Sequence, residues 1–205
     1  MPIHVDYHQL RQFASSRLAI GLAFLWGLSE AVFFFIVPDF FFVFMALFKP
    51  LAGIICGVVS ILGTLVGGIM MYTLASLFPD ILNRFLLWIP GIPPAMMKEV
   101  HDSILLKGPA ALLAGPLGGI PYKVYAVQAG ILHMSLIGFL LFTLLARLKR
   151  IAFVSGLAAL FGKIAAPYIA RRTKTWVISY GIFWIVFYFI YTLLLDRKYP
   201  VIFNH

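Results

Sequence analysis

Two acids and one lysine stand in otherwise apolar parts of the sequence, where an ionisable group needs a reason to be present. Glu30 and Asp39 lie in the run SEAVFFFIVPDFFFVFMAL, which holds no other charge, and Lys123 ends a proline-rich apolar stretch. A charge at the centre of a bilayer costs about 2.5–3.5 kcal/mol on insertion scales, so such residues usually face a cavity or a partner. Partial burial of a carboxyl group favours proton exchange near neutral pH. We therefore interpret Glu30 and Asp39 as proton-coupling residues and Lys123 as their counter-charge.

Each of these residues also has a plainer interpretation. Both acids could sit near the lipid headgroups and cap helix ends, and Lys123 could extend its ammonium group to the interface, as long basic side chains do. A pair between Lys123 and either Asp39 or Glu30 would instead offset the cost of burying all three. His133 could relay protons, but a hydrogen-bonded core histidine is the more ordinary role, because it has no ligand partner at a suitable spacing.

The composition indicates that the surroundings of these charges are a membrane. Of 205 residues, 62% are hydrophobic and 11% are charged, whereas a soluble domain is roughly half apolar and a quarter charged. The net charge is +9, but the basic residues cluster beside apolar runs, which is the pattern of membrane orientation and not of nucleic-acid binding. We expect one integral, multi-pass membrane domain over residues 1–205.

Four apolar stretches are candidates for membrane helices, which need about 20 mostly apolar residues. They are Leu18–Phe48, Leu51–Phe78, Val124–Ala146 and Trp176–Leu195. The last three are each long enough for one span, and we expect the final one to cross over residues 176–195. The first is too long for one simple span and too short for two with a turn. The fold class that follows is an all-α polytopic membrane protein.

Prolines divide two of the apolar segments. Pro38 removes a backbone donor and pushes the residue before it out of helical geometry. Gly108–Lys123 carries Pro109, Pro116 and Pro121 among several glycines. Irregular backbone at membrane depth is tolerated only where protein or a water-filled cavity covers it. Paired broken segments are typical of inverted-repeat transporters. We therefore expect two opposed re-entrant segments, broken at Pro38, Pro116 and Pro121, with two kinked helices as the alternative.

A stripe of small residues follows one face of the helix expected over Leu51–Phe78. Its members recur at spacings of three and four: Gly53, Gly57, Ser60, Thr64 and Gly67. Small residues at this spacing let two helices approach closely in lipid. We expect the stripe to pack inside the chain, since a broken segment must be covered, although a second copy of the chain is an open alternative.

Basic residues without any acid mark the section 147–174. The apolar stretch within it is too short to span a bilayer, so we expect a cytoplasmic hairpin or a segment lying on the membrane surface. The positive-inside rule then orients the other spans and leaves the side of the C-terminus undecided. The sequence has one cysteine, and its His, Asp and Glu residues show no metal-ligand spacing, so we expect no metal, no cofactor and no enzymatic triad.

Two separated motifs resemble the DedA family of bacterial membrane proteins, which shares the VTT (SNARE-associated) domain with eukaryotic lipid scramblases. The first is E…FFxxxPD, followed by KP and a glycine-rich helix ending in GGxxxY; the second is PYKVYAVQAGxxxMxxxxFxxxxxxxRxxR. The likeness covers roughly Leu28 to Arg150 and is closest to a small branch with a PxPYK segment. The sequence departs from the family where Leu117-Gly118-Gly119 replaces an arginine, and where Lys123 replaces the commoner arginine after the proline.

The resemblance implies paired re-entrant segments and movement of a lipid, or of a lipid-linked phosphate carrier, between leaflets. In some members it also implies coupling to the proton gradient. By position, the family's membrane acids fall on Glu30 and Asp39, its basic residue after the proline on Lys123, and its later arginines on Arg147 and Arg150. The basic residues would then meet the substrate headgroup or act as counter-charges.

The function that we expect is a DedA-type transporter of an anionic lipid, with membrane lipids and protons as its partners. A homo-oligomer is left open. Two alternatives belong to other classes: a proton-coupled exporter of small cations or drugs, in which the acids bind the cargo, and a non-transporting membrane organiser, in which the acids only hold the fold.

Overall fold

Helices and short connections make up the part of the chain that the structure describes, which confirms the all-α class. The structure is a computed structural model that describes residues 6–200, apart from the side chains of Pro116 and Leu117. The helices are α1 Tyr7–Ala14, α2 Arg17–Val32, α3 Asp39–Phe48, α4 Pro50–Leu77, α5 Pro79–Trp88, α6 Pro94–Lys107, α7 Gly115–Gly118, α8 Tyr122–Ile131, α9 Leu136–Arg171 and α10 Thr173–Lys198, with a 3₁₀ helix at Gly108–Leu113 before α7.

Helix α4 is the centre of the molecule and contacts α2, α3, α8 and α9. All five residues of the predicted small-residue stripe on α4 are buried. The contact with α2 is the closest, since a Cβ on Gly63 would overlap the carbonyl oxygen of Phe24, and a Cβ on Gly27 would overlap that of Ser60. The stripe and its glycine neighbours therefore pack inside the chain, with backbone lying directly on backbone.

The two apolar segments that contain prolines, Ser29–Leu47 and Gly108–Lys123, are both interrupted, as the sequence predicts. Helix α2 ends at Val32, the residues that follow are not helical, and α3 begins immediately after Pro38. The second segment passes through the 3₁₀ helix and α7, which contains Pro116, to a left-handed Gly119 with φ +68° and then to Pro121, where α8 begins. The missing N–H and the fixed φ of proline suit the start of a helix and not its interior.

The expected uninterrupted helix over Val124–Ala146 is wrong. Helix α8 ends at Ile131 and α9 begins at Leu136, with an exposed His133 at φ +50° in the turn between them. Two polar contacts fix this turn: the hydroxyl of Tyr72 donates to the carbonyl of Met134, and the Oγ of Ser135 caps α9 by accepting from the N–H of Gly138. A core position for His133 is wrong as well.

The hairpin expected within 147–174 is also wrong, because α9 continues as one helix of 36 residues through this basic section. Pro167 lies inside α9 without ending it. The chain turns instead at Arg172, and α10 follows over Thr173–Lys198. The predicted final span, 176–195, lies entirely within α10.

Two helices in the described part of the chain are long and apolar enough to cross a membrane, α4 and α10. They differ in their surroundings. Helix α4 is half buried by its neighbours, whereas only three of the 26 residues of α10 are buried: Thr173, Trp184 and Leu195. Helix α10 therefore presents an apolar surface along almost its whole length.

Candidate functional site

Two arginine–carboxylate pairs lie side by side within the helical core. Arg147 Nη2 is 2.7 Å from Glu30 Oε2. Arg150 binds Asp39 with two nitrogens, Nε at 3.0 Å from Oδ1 and Nη2 at 2.8 Å from Oδ2. Both carboxylates are buried, at 4% exposure each. Planar guanidinium groups match the geometry of carboxylates, which makes such charge-assisted pairs strong and directional.

One helix supplies both arginines, and the first broken segment supplies both acids. Arg147 and Arg150 are three residues apart on α9, so they project from the same helix face on successive turns. Glu30 lies in the last turn of α2 and Asp39 is the first residue of α3. The break at Pro38 lets the chain change direction between the acids, so that one helix can meet both.

An aromatic ring supports the more buried arginine. The guanidinium carbon of Arg147 lies 4.9 Å from the ring centroid of Tyr122, a cation–π contact. The hydroxyl of Tyr122 lies 3.3 Å from the Oγ1 of Thr143 on α9. A Cβ on Gly68 of α4 would overlap the Tyr122 hydroxyl, so this glycine leaves the room that the ring needs.

Lys123 is buried, at 1% exposure, but it does not form the expected pair with Glu30 or Asp39. Its Nζ donates to the carbonyl of Phe34 at 3.2 Å, and none of the ion pairs within residues 6–200 includes it. Helix α9 brings a guanidinium to each acid. The lysine instead reaches the carbonyl of Phe34, which lies in the non-helical connection between α2 and α3.

A cavity of about 160 Å³ lies where the two broken segments meet. Glu30, Lys123, Arg147 and Arg150 line it, together with the ring of Tyr122. Asp39 does not line the cavity but is bound to Arg150, which does. Two carboxylates against three cations leave this site with one formal positive charge. An enclosed site with a surplus cation and several hydrogen-bond donors is suited to an anion such as a phosphate group.

Of the remaining residues singled out in the sequence, Pro121 lines the cavity. Pro38 ends the connection between α2 and α3, and the residues of the α4 stripe are buried but do not line the cavity. Sequence reasoning missed three contributors from α10, namely Phe187, Tyr188 and Tyr191, which form one wall. A sequence pattern could have identified this wall. The aromatic residues Tyr180, Trp184, Tyr188 and Tyr191 recur at spacings of four, four and three along one helix face.

The described residues contain no group of three or more His, Cys, Asp or Glu side chains that could hold a metal ion. The sole cysteine, Cys56, is buried on α4 as a free thiol.

No protein-family model and no solved structure matches the chain. It is similar to a protein of Haemophilus influenzae described only as uncharacterized, with 23% identity over 189 residues, which cover 90% of this chain and 95% of that protein. The match extends over nearly the whole of both chains. The resemblance to the DedA family stays a prediction from the two motifs.

Proposed function

We propose that the protein moves the anionic headgroup of a lipid, or of a lipid-linked phosphate carrier, between the leaflets of a bacterial inner membrane. The observation that carries the proposal is the surplus positive charge of the cavity, centred on Lys123, which has no carboxylate partner among the described residues. A phosphate would neutralise this charge and accept hydrogen bonds from the ammonium group and from both arginines.

The outer surface of the molecule supports a lipid substrate over a soluble one. Large apolar side chains on α9 and α10 are exposed, among them Ile137, Phe153, Ile164, Ile185 and Phe189. Exposed apolar surface of this extent is typical of contact with acyl chains. The headgroup would pass the charged side chains of the cavity while the tails stay in the bilayer.

The ion pairs suggest how protons could be coupled to this movement. While Glu30 is ionised, it occupies the guanidinium of Arg147 at 2.7 Å. A proton taken up on the Glu30 carboxylate neutralises it, so that the guanidinium becomes available to a phosphate. Loss of the proton restores the ion pair and releases the phosphate. Such an exchange biases the cavity between two states without a large rearrangement.

The proposal is tested with purified protein in liposomes that contain a fluorescent phosphatidylglycerol. We expect flipping to be faster than in empty liposomes, and Lys123→Gln to slow it about tenfold, the effect of losing one charge-assisted hydrogen bond. Lys123→Arg keeps the positive charge and is expected to keep part of the activity. Lys163→Gln is the matched control, because Lys163 is exposed on α9. No acceleration at any pH would exclude the lipid function.

One observation favours a second candidate, the non-transporting membrane organiser. Both acids are already satisfied by arginine partners, which is the state of purely structural ion pairs. Absence of flipping by the wild-type protein would favour the organiser. The variants Glu30→Gln and Asp39→Asn test whether the acids take part in lipid movement or only hold the fold. Lower melting temperature with unchanged flipping would assign the acids a structural role. The same pairs disfavour the cation exporter, since neither carboxylate is free to bind a cationic cargo.

A further inference from the structure

Helix α10 forms one wall of the cavity and is otherwise scarcely packed. Phe187, Tyr188 and Tyr191 face the cavity from α10. Trp184 is the one buried residue in the middle of this helix; the others, Thr173 and Leu195, lie near its two ends. The side of the cavity that α10 closes is therefore also the side nearest to the apolar outer surface of the molecule.

Three tyrosine hydroxyls connect α10 to the rest of the chain, and all three bind backbone groups of the broken segments. Tyr180 donates to the carbonyl of Phe40 at 2.6 Å. Tyr188 accepts from the N–H of Val37 at 2.8 Å, and Tyr191 donates to the carbonyl of Gly119 at 2.7 Å. We call the line of contact that these bonds follow the α10 seam.

The hydrogen bonds of the α10 seam satisfy backbone groups that the helix breaks leave without helical partners. Val37 precedes α3 and Gly119 follows α7, so their peptide groups lack helical partners. In a membrane such groups need a partner, and a tyrosine hydroxyl supplies one while its ring stays in apolar surroundings. A phosphate oxygen of the headgroup could accept from the N–H of Val37, and a water molecule could donate to the carbonyl of Gly119. The seam can thus open without leaving a backbone group unsatisfied.

The two ends of α10 are held independently of the seam. At its start, Trp176 packs against Phe161 of α9, with ring centroids 5.8 Å apart. At its end, Lys198 Nζ lies 2.9 Å from Glu99 Oε1 on α6, and the adjoining Tyr199 also donates to Glu99. The middle of the helix can therefore move outwards while both ends remain attached.

We propose that the lipid reaches the cavity sideways from the bilayer, through the α10 seam, and that the hydrogen bonds of Tyr188 and Tyr191 keep this seam closed at rest. The inference rests on the proposed lipid function. It assigns the route that the headgroup takes, between α10 and the two broken segments, with the acyl chains left outside against the exposed face of α10.

A reversible cross-link across the seam tests the route. The rings of Phe35 and Tyr188 face each other with centroids 6.1 Å apart. We use Phe35→Cys with Tyr188→Cys in a Cys56→Ala background, joined by a short thiol-specific cross-linker that a reductant cleaves. Before cross-linking, the double variant is expected to flip the fluorescent phosphatidylglycerol. The cross-linked protein is expected to flip it at least about tenfold more slowly, and the reductant is expected to restore the rate.

A second cross-link serves as the control. Phe161→Cys with Trp176→Cys joins α9 to α10 away from the cavity and is expected to leave flipping unchanged. Unchanged flipping with a closed Phe35–Tyr188 link would overturn the seam route while leaving the lipid function intact. Absence of flipping in the wild-type protein would instead overturn the proposed function itself, so the two failures are distinguishable.

Hydroxyl deletions test the same inference without cross-linking. Tyr188→Phe and Tyr191→Phe keep the rings but remove the closing hydrogen bonds, so each is expected to raise the flipping rate roughly fivefold. Tyr168→Phe is the matched control, since Tyr168 is exposed on α9 and far along the helix from the cavity residues Arg147 and Arg150. Rates equal to that of the control would contradict a closing role for these hydroxyls.

Discussion

The two arginine–carboxylate pairs differ in how much water reaches them, and this difference decides what each contributes. The side chains of Arg147 and Glu30 are 9% and 5% exposed, whereas that of Arg150 is 28% exposed. A buried ion pair adds little net stability when both charges are present, but removal of one partner leaves an uncompensated buried charge. The buried pair is therefore the more sensitive of the two to a single substitution.

Arg147→Gln is expected to lower the free energy of unfolding by about 3–5 kcal/mol, the cost of leaving Glu30 ionised and alone. Arg150→Gln is expected to have a smaller effect. Asp39 is about as buried as Glu30, but Arg150 is partly exposed, so its removal opens a path for water to the Asp39 carboxylate. Thermal melting in detergent micelles measures both. The double variant Glu30→Gln with Arg147→Met is expected to recover most of the loss, since no buried charge remains. Equal melting temperatures for the two single variants would contradict this account.

The pair between Glu99 and Lys198 is expected to make stability depend on pH. Partial burial alone would raise the pKa of the Glu99 carboxyl, but hydrogen bonds from Lys198 and Tyr199 outweigh this and hold the pKa below its ordinary value of 4.5. A lowered carboxyl pKa contributes stability that is fully present above the ordinary value and is lost as pH falls through the lowered one. The melting temperature of the wild type should therefore fall more steeply below about pH 4.5 than that of Glu99→Gln; parallel curves would rule out this contribution.

Single charges in apolar runs are easy to find in a sequence, but their partners are not. Glu30, Asp39 and Lys123 stand out because nearly everything around them is apolar. The partner of Glu30 is Arg147, 117 residues further along the chain. The family resemblance predicts it only as a headgroup or counter-charge residue, without a partner, and its basic section predicts a cytoplasmic hairpin or a segment on the membrane surface. Which cation reaches which acid depends on the path of α9, and local sequence carries no record of that path.

Helix breaks at proline were predictable, whereas the break between α8 and α9 was not. Pro38 and Pro121 act through a missing donor and a fixed dihedral, which are properties of the residue itself. The turn at His133 depends on a tertiary contact, the hydrogen bond from Tyr72 to Met134. Hydropathy contains no information about such a tertiary contact, so an apolar run of sufficient length predicts one uninterrupted helix.

Packing between α2 and α4 gives a prediction at the scale of the element. Gly63→Ala is expected to lower the melting temperature strongly, because its Cβ would overlap the carbonyl of Phe24 and force the two helices apart. Gly156→Ala is the control: nothing lies within 4 Å of its Cβ position in α9, and alanine favours a helix by about 0.5–1 kcal/mol over glycine. Circular dichroism during heating measures both variants, and a similar response in the two would contradict close backbone packing.

The apolar exterior is a property of the whole molecule and agrees with its composition. Helix α9 has 36 residues and is about 54 Å long at 1.5 Å per residue. The hydrocarbon core of a bilayer is only about 30 Å thick, so in the membrane arrangement that we propose this helix would tilt or extend beyond it. The basic residues near its C-terminal end, Lys163 and Arg171, are placed to reach the lipid headgroups.

Cysteine labelling tests this arrangement in membranes. In a Cys56→Ala background, Ile185→Cys replaces a residue that is 71% exposed in the middle of α10. A water-soluble maleimide is expected not to reach it in intact membranes but to label it after solubilisation and denaturation. Lys174→Cys, at the start of α10, is the control and is expected to react in both conditions. Equal labelling of the two sites in membranes would show that α10 is not covered by lipid.

The pairing of α9 with both sides of the first break has a consequence for sequence variation among related chains. Because neither member of the buried pair is tolerated alone, Glu30 and Arg147 are expected to be lost or exchanged together. Asp39 and Arg150 are expected to be linked less strictly, because the arginine of this pair is partly exposed to solvent. An alignment of distant relatives would then show strong covariation between two positions 117 residues apart, and weaker covariation at the neighbouring pair.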